Sequence, residues 1–187
     1  MSASILFWRR IDVHGLERLA LSNTSDGITA TSTIICLEAG GFRIDHTWRI
    51  DSNWRAQSVD IMRWSAEGHS VLRLERAGTA WRVNGTRRSD LEGADEPDLS
   101  VTPFCNTFPI LKTPTGAGKS FSLDTAFIDA ATMTVSRSRQ RYDRLDLRRL
   151  RYVDLGISRG FEAELVVDDD GLVLQYESLF ERVAPPQ

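Results

Sequence analysis

Apolar and polar residues alternate with a period of two along most of the chain, the pattern of half-buried β-strands. Phe42, Ile44, His46, Trp48 and Ile50 share one face while Arg43, Asp45, Thr47, Arg49 and Asp51 take the other, which predicts a strand over 42–51. Ser52–Asn53 turns the chain, and 54–64 reads as the returning strand. The pattern continues through 71–76 and then 80–83, which ends at Asn84–Gly85, a preferred two-residue hairpin turn. An antiparallel meander follows, with Trp48, Trp54, Trp64 and Trp81 all placed in its strands.

The C-terminal part repeats the habit. Phe161, Ala163, Leu165 and Val167 alternate with polar or smaller neighbours, Asp170–Gly171 turns, and Leu172, Leu174, Tyr176 and Ser178 return. Setting Trp48–Arg49–Ile50–Asp51 beside Leu165–Val166–Val167–Asp168 suggests two related halves, each with a strand ending in an Asp turn. Between them, residues 91–120 hold four of the six prolines and little alternation. There Thr102 can cap a helix whose first position is Pro103, and Phe104, Phe108 and Leu111 fall on one helical face. Pro109 is expected to disturb its second turn. The chain therefore reads as one mainly β (α+β) domain over 1–187, with halves 1–90 and 121–187 joined by a Pro-rich helical segment, 91–120.

Composition narrows the function without naming it. With 41% hydrophobic and 26% charged residues the chain has a globular make-up. Its net charge of -3 gives no global attraction for phosphate backbones or anionic lipid, so no nucleic-acid partner is expected. Ile5–Phe7 and Trp8 are too short an apolar stretch for an export signal, and no apolar run approaches a membrane span; a cytoplasmic protein without integral membrane association is expected. Cys36 and Cys105 then read as buried thiols.

Several motifs invite chemistry and lose it in context. Gly156–Ile157–Ser158–Arg159–Gly160 matches a nucleophile-elbow pattern, but a strand follows it where a helix is required, and all three histidines precede the serine. Gly118–Lys119–Ser120 resembles the end of a phosphate loop, yet Thr113 stands where its first glycine belongs. Arg137, Arg139, Arg141, Arg144, Arg148, Arg149 and Arg151, with Tyr142 and Tyr152 interleaved, could face an anionic partner. Arginine outnumbers lysine 21 to 2 throughout, however, and a solvated strand face paired with acids explains the run. The histidines and cysteines lack metal-ligand spacing, so neither metal nor cofactor is expected. With 26 acidic residues, carboxylate pairs carry no signal on their own.

One segment is more specific. Asp98–Leu99–Ser100–Val101–Thr102–Pro103–Phe104–Cys105–Asn106–Thr107–Phe108–Pro109–Ile110 carries a D-L-x-x-T-P-x-x-N-T-x-P-I pattern that resembles the signature of a bacterial family of cytosolic proteins named "putative glycolipid-binding". Agreement extends to Gly41–Asp51, to Asn84–Gly85 after a tryptophan strand, to the Gln140-x-Tyr142 pair and to Val167–Tyr176, most of the chain. The resemblance implies a spiral β-roll, a long antiparallel sheet wrapped around one helix and generally dimeric, similar to bacterial carriers that shuttle lipoproteins. The chain departs from the family in having Glu96–Pro97 where a second Asp is common, and in the bulk of Phe104 and Phe108, which could fill the interior. Asp98, Thr102, Pro103, Asn106, Thr107 and Pro109 are then structural-signature positions, with Asp98 capping or turning into the helix.

The expected function is non-enzymatic binding or carriage of an amphipathic ligand, of the glycolipid type, between sheet and helix. Trp48, Trp54, Trp64 and Phe108 would supply apolar walls, and Asn106, Thr107 and Arg49 would orient a polar head. Two alternatives compete: a hydrolase of lipid or sugar conjugates using His46 with Asp51 or Asp60, and a ligand-free dimeric interaction scaffold.

Overall fold

The computed structural model describes residues 4–184. Its first part is an unbroken antiparallel meander of eight strands: β1 (Ser4–Arg10), β2 (Gly15–Thr24), β3 (Gly27–Cys36), β4 (Phe42–Ile50), β5 (Ala56–Ser65), β6 (Gly68–Ala77), β7 (Ala80–Val83) and β8 (Thr86–Arg88). After β9 (Glu96–Leu99) comes a 3-10 turn, Pro103–Asn106, which runs directly into α1 (Thr107–Lys112). A second meander follows: β10 (Ser120–Asp129), β11 (Thr134–Arg144), β12 (Arg149–Asp154), β13 (Glu162–Val167), β14 (Val173–Tyr176) and β15 (Phe180–Val183).

Pairing of β1 with β15, Arg10 opposite Phe180, joins the two meanders into one fifteen-stranded sheet. Among the described residues only β9 runs parallel to its neighbour, β10, and it forms one edge while β8 forms the other. The sheet wraps the helical segment without closing: on β9, the Glu96 carboxylate reaches across to accept the Ala56 backbone N–H of β5 at 2.9 Å.

The inner face follows the alternation. Phe42, Ile44, His46, Trp48 and Ile50 are all buried, and Asn84 and Gly85 take φ of 49° and 81° at the β7–β8 turn. Trp8, Trp48 and Trp81 are wholly buried. Each satisfies its indole N–H inside, on Val173 O, His46 Nδ1 and Ala94 O at 2.8, 2.9 and 2.9 Å, as a buried indole requires.

Four local expectations are corrected. Trp54 lies in the β4–β5 turn, not in a strand, with φ at 57°. There Asp51 Oδ1 accepts the N–H groups of Asn53 and Arg55, so the turn outcompetes the ladder. A bulge opposite Val166–Val167 shifts β14, so Val173 and Tyr176 are buried while Leu174 is only half so. Pro109 does not break the helix, because the change from 3-10 to α geometry at Asn106–Thr107 puts it in the first α turn, where a missing N–H costs little. Asp98 belongs to β9 rather than to the helix start, whose cap is the Thr102 hydroxyl accepting from Phe104 N at 3.1 Å.

Candidate functional site

The helical segment has two different sides. Toward the first meander it presents Phe104 and Phe108, whose rings lie 6.1 and 5.5 Å from Trp48, with Trp54 6.5 Å from Phe104. Trp48, Phe104 and Phe108 are fully buried, so this side is packed solid. Trp48, Trp54 and Phe108 thus come together as core. Trp64 lies on the outer face with Arg43 stacked 3.9 Å over its ring, and Arg49 is exposed on that same face. Thr107 is wholly buried, and its hydroxyl has no hydrogen-bond partner among the described residues.

Toward the second meander the helical segment presents Asn106, and here a cavity of about 280 Å³ remains. Its walls are aromatic: Phe127 from β10, Tyr152 from β12, Phe161 before β13, Tyr176 from β14 and Phe180 from β15. Tyr152 is 5.4 Å from Tyr142 and 5.8 Å from Tyr176, and Tyr176 is 6.2 Å from Phe180, one continuous set of ring contacts. Besides the tyrosine hydroxyls, its polar groups are Asp98, Ser100, Thr102, Asn106, Asp154 and Ser158. Exposed Ser158 and half-buried Phe161 and Leu179 mark the mouth.

Two side chains of β11 hold the polar floor in place. Gln140 Nε2 donates to Asp98 Oδ2 at 2.5 Å, and the Tyr142 hydroxyl donates to Asn106 Oδ1 at 2.7 Å. Asn106 spends its own amide N–H on Pro103 O at 3.2 Å, so its orientation is set at both ends. Asp154 accepts from the Tyr152 hydroxyl and from the backbone N–H groups of Gly156 and Ser158, at 3.1, 2.7 and 3.1 Å. These bonds organise the Gly156–Gly160 loop, in which Gly156 is obligatory: a Cβ there would stand 2.6 Å from Arg139 N. β13 follows this loop as a strand, as the sequence predicts.

Asp98 lies deep in the protein but keeps part of its surface on the cavity. Burial pushes its carboxyl up to about 6, against the Gln140 hydrogen bond, with Asp154 adding repulsion. Burial likewise raises the phenols of Tyr142, Tyr152 and Tyr176 far above their ordinary value, so all three stay neutral donors.

Elsewhere, His46 sits with neither Asp51 nor Asp60. Its Nε2 is 3.3 Å from Glu17 Oε1, which also accepts from the Ser32 hydroxyl at 2.6 Å, and its Nδ1 accepts from Trp48. Asp60 pairs with Arg73 on the surface. The arginine run is broken by acids: Arg137 pairs with Asp124, Arg141 with Asp143 and Arg149 with Asp146, while Arg144 turns inward to bond the Ile110 and Thr113 carbonyls at the end of α1. Among the described residues no His, Cys, Asp and Glu cluster could hold a metal, and no helix is long and apolar enough to cross a membrane. Both cysteines are free and buried.

Of the sequence candidates, Asp98, Thr102 and Asn106 line the cavity. Asp154, Phe161 and Tyr176 are not among them, and Tyr152 enters only through the arginine run; the signal present is the aromatic side of the C-terminal alternation and the Gln140-x-Tyr142 pair.

A mostly antiparallel sheet wound about one helix, with a cavity walled by rings and floored by oriented carboxylate and amide groups, has the concave, largely apolar form with a few convergent polar groups that small-molecule sites share. The chain belongs to the family described as "Putative glycolipid-binding", whose model matches residues 5–182. A solved structure of a DUF1089 family protein from Pseudomonas aeruginosa is similar over 90% of this chain and 92% of its own, at 29% identity and a TM-score of 0.80. No curated protein matches the chain.

Proposed function

We propose that the protein is a non-enzymatic binding or carrier protein for an amphipathic molecule of the glycolipid class, whose polar head enters the cavity and whose apolar part lies along Phe161 and Leu179 at the mouth. The observation that carries this reading is the bonding of Gln140 to Asp98 and of Tyr142 to Asn106, which aims two signature residues into a space lined by rings. Rings cover the apolar faces of a sugar while carboxylate and amide groups take its hydroxyls. The family name supports the same class.

Native mass spectrometry of the purified full chain, followed by lipid analysis of what denaturation releases, tests the reading directly. A stoichiometric amphipathic adduct, lost in Ser158→Trp at the mouth, is the expected result. No adduct, together with no calorimetric binding of octyl glucoside, would sink it.

A hydrolase reading shifts from His46 to Asp98, because a carboxyl titrating about 6 inside a cavity that holds a second carboxylate is suited to proton donation. Turnover of nitrophenyl glycosides abolished in Asp98→Asn would favour it over simple binding; absence of turnover across such substrates would remove it.

A further inference from the structure

The carboxylates at the cavity differ from the other acids of the interior, Glu96 and Glu17. Glu96 and Asp98 stand two residues apart on β9 and both are drawn into the interior. Glu96 is met by two cations: Arg76 Nη2 at 3.0 Å and the Lys112 ammonium. Glu17, the buried acid of the first meander, has His46 and Ser32. On the outer surface Asp124, Asp143, Asp146 and Asp169 each have an arginine.

Asp98 and Asp154 have none. Among the described residues their hydrogen-bond partners are Gln140, the Tyr152 hydroxyl and two backbone N–H groups, and no Arg, Lys or His lines the cavity. Other acids without a cation, Asp51 and Asp129 among them, sit in turns and accept turn backbone N–H groups; Asp98 and Asp154 are the carboxylates that line this cavity. Two carboxylates brought into one cavity repel each other, and Asp98, with a single hydrogen bond among the described residues, loses hydration that the protein does not replace. Around them stand the rings of Tyr152, Tyr176, Phe161 and Phe180, whose electron-rich faces favour a cation.

We propose that the head the cavity selects is positively charged: an amine-bearing sugar whose ammonium pairs with Asp98 and Asp154 against the Tyr152 and Tyr176 rings. This rests on the binding reading above and adds the charge of the ligand to it. A neutral sugar hydroxyl gives hydrogen bonds but leaves both charges uncompensated, and an anionic head adds a third charge of the same sign.

Binding also carries a proton signature. The titratable groups facing Asp98 are Asp154, Cys105 and the phenols of Tyr142, Tyr152 and Tyr176, and the Cys105 thiol and the three phenols are held neutral by burial. An ammonium beside Asp98 favours its ionised form, so an amine ligand is expected to release protons on binding near pH 6 and to bind more tightly as pH rises from 5 to 7.

Calorimetry of the full chain with four probes sharing an octyl tail tests this: octyl glucoside, octyl glucosaminide, its N-acetyl derivative and octyl glucuronide, each below its micelle concentration. The glucosaminide should bind about tenfold more tightly than the glucoside, the margin of a charge-assisted hydrogen bond over a neutral one. The N-acetyl derivative should fall back to the glucoside, and the glucuronide should be weakest. Asp98→Asn should bring glucosaminide and glucoside within about twofold of each other. Repeating the wild-type titration in buffers of different ionisation enthalpy near pH 6 reads the proton release without a variant. Equal affinity for glucosaminide and its N-acetyl derivative, or no proton release, would overturn the inference while leaving the binding reading standing if octyl glucoside binds. Binding of none of the four would bring down both.

Discussion

The Tyr142 hydroxyl donates to Asn106 Oδ1 at 2.7 Å, tying the middle of β11 to the helical segment at the cavity floor. Both residues are buried, and the Asn106 amide N–H is committed to Pro103 O. Tyr142→Phe removes the donor without changing the ring, leaving a buried carbonyl oxygen unpaired. The expected loss is about 1–3 kcal/mol, read by urea denaturation. Ligand affinity should fall with it, because Asn106 is then held only through Pro103 O; an unchanged midpoint would show that the bond contributes nothing net.

The raised carboxyl of Asp98 sets a pH dependence of stability with a definite sign. In the unfolded chain the group titrates at about 4, and in the folded chain at about 6. Between those values the folded state holds more protons, so this group makes stability fall as pH rises from 4 to 6 and then level off. A two-unit shift corresponds to about 2–3 kcal/mol, reduced by whatever solvation the cavity supplies. Asp98→Asn should therefore be more stable than wild type at pH 7, by about 1–2 kcal/mol, and should lack this fall. Urea titrations from pH 4 to 7 decide it; a variant less stable than wild type at pH 7 would contradict the assignment of the shift.

Glu96 differs from Asp98 in its partners, although burial raises its carboxyl as well. Its carboxylate accepts from Ala56 N, Arg76 and Lys112, and so holds β9 and the end of α1 against β5 and β6. Glu96→Ala leaves the buried Arg76 guanidinium with only the Ala56 and Asp95 carbonyls and no counter-charge, leaves the Ala56 N–H without its acceptor, and should cost about 3–5 kcal/mol. Lys112→Ala, which removes the more exposed of the two cations, should cost less than half as much. Thermal and urea unfolding of the two variants side by side would reveal the order.

The turns after β4 and β13 are built alike. Asp51 N donates to Arg55 O and Asp168 N to Leu172 O, both at 3.0 Å, while Trp54 N and Gly171 N return to the Asp51 and Asp168 carbonyls at 3.1 Å. Asp168 Oδ1 accepts from Asp170 N and Leu172 N just as Asp51 Oδ1 accepts from Asn53 N and Arg55 N. Trp54 and Gly171 occupy equivalent sites, with φ of 57° and 77°. At Gly171 a Cβ would stand 2.8 Å from Leu111 Cδ2, whereas at Gly85 nothing lies within 4 Å. Gly85→Ala should cost about 1 kcal/mol from backbone strain alone, and Gly171→Ala about 1–2 kcal/mol because Leu111 must also move. Equal losses at the two sites would mean that Leu111 yields freely.

Much of the sheet was legible in the sequence because a strand's two faces are a local property. Phe42–Ile50 could be assigned residue by residue, and Asn84–Gly85 declared its hairpin through two positions that tolerate positive φ. The reading failed where a side chain competed with the ladder. Asp51 captured the backbone of Asn53 and Arg55 and took Trp54 out of β5, and the bulge in β14 moved Val173 inward, neither of which changes the alternation on the page.

The site divides in the same way. Alternation by itself determined antiparallel meanders with a helix started by Thr102–Pro103 packed on them; the wrapping of the sheet came from the family resemblance, and Asn106, Thr107 and Arg49 were the polar contacts expected, with Asp98 a structural-signature position. Which side of that helix stayed open was decided only in three dimensions. Phe104 and Phe108 met Trp48 and filled one side, while Asn106 turned to the other, and Gln140 and Tyr142 came to it because β9 pairs beside β10 and β10 beside β11. The physical reason is one of range: alternation and capping act between residues a few positions apart, whereas a cavity and its uncompensated charge depend on which distant side chains arrive and which do not.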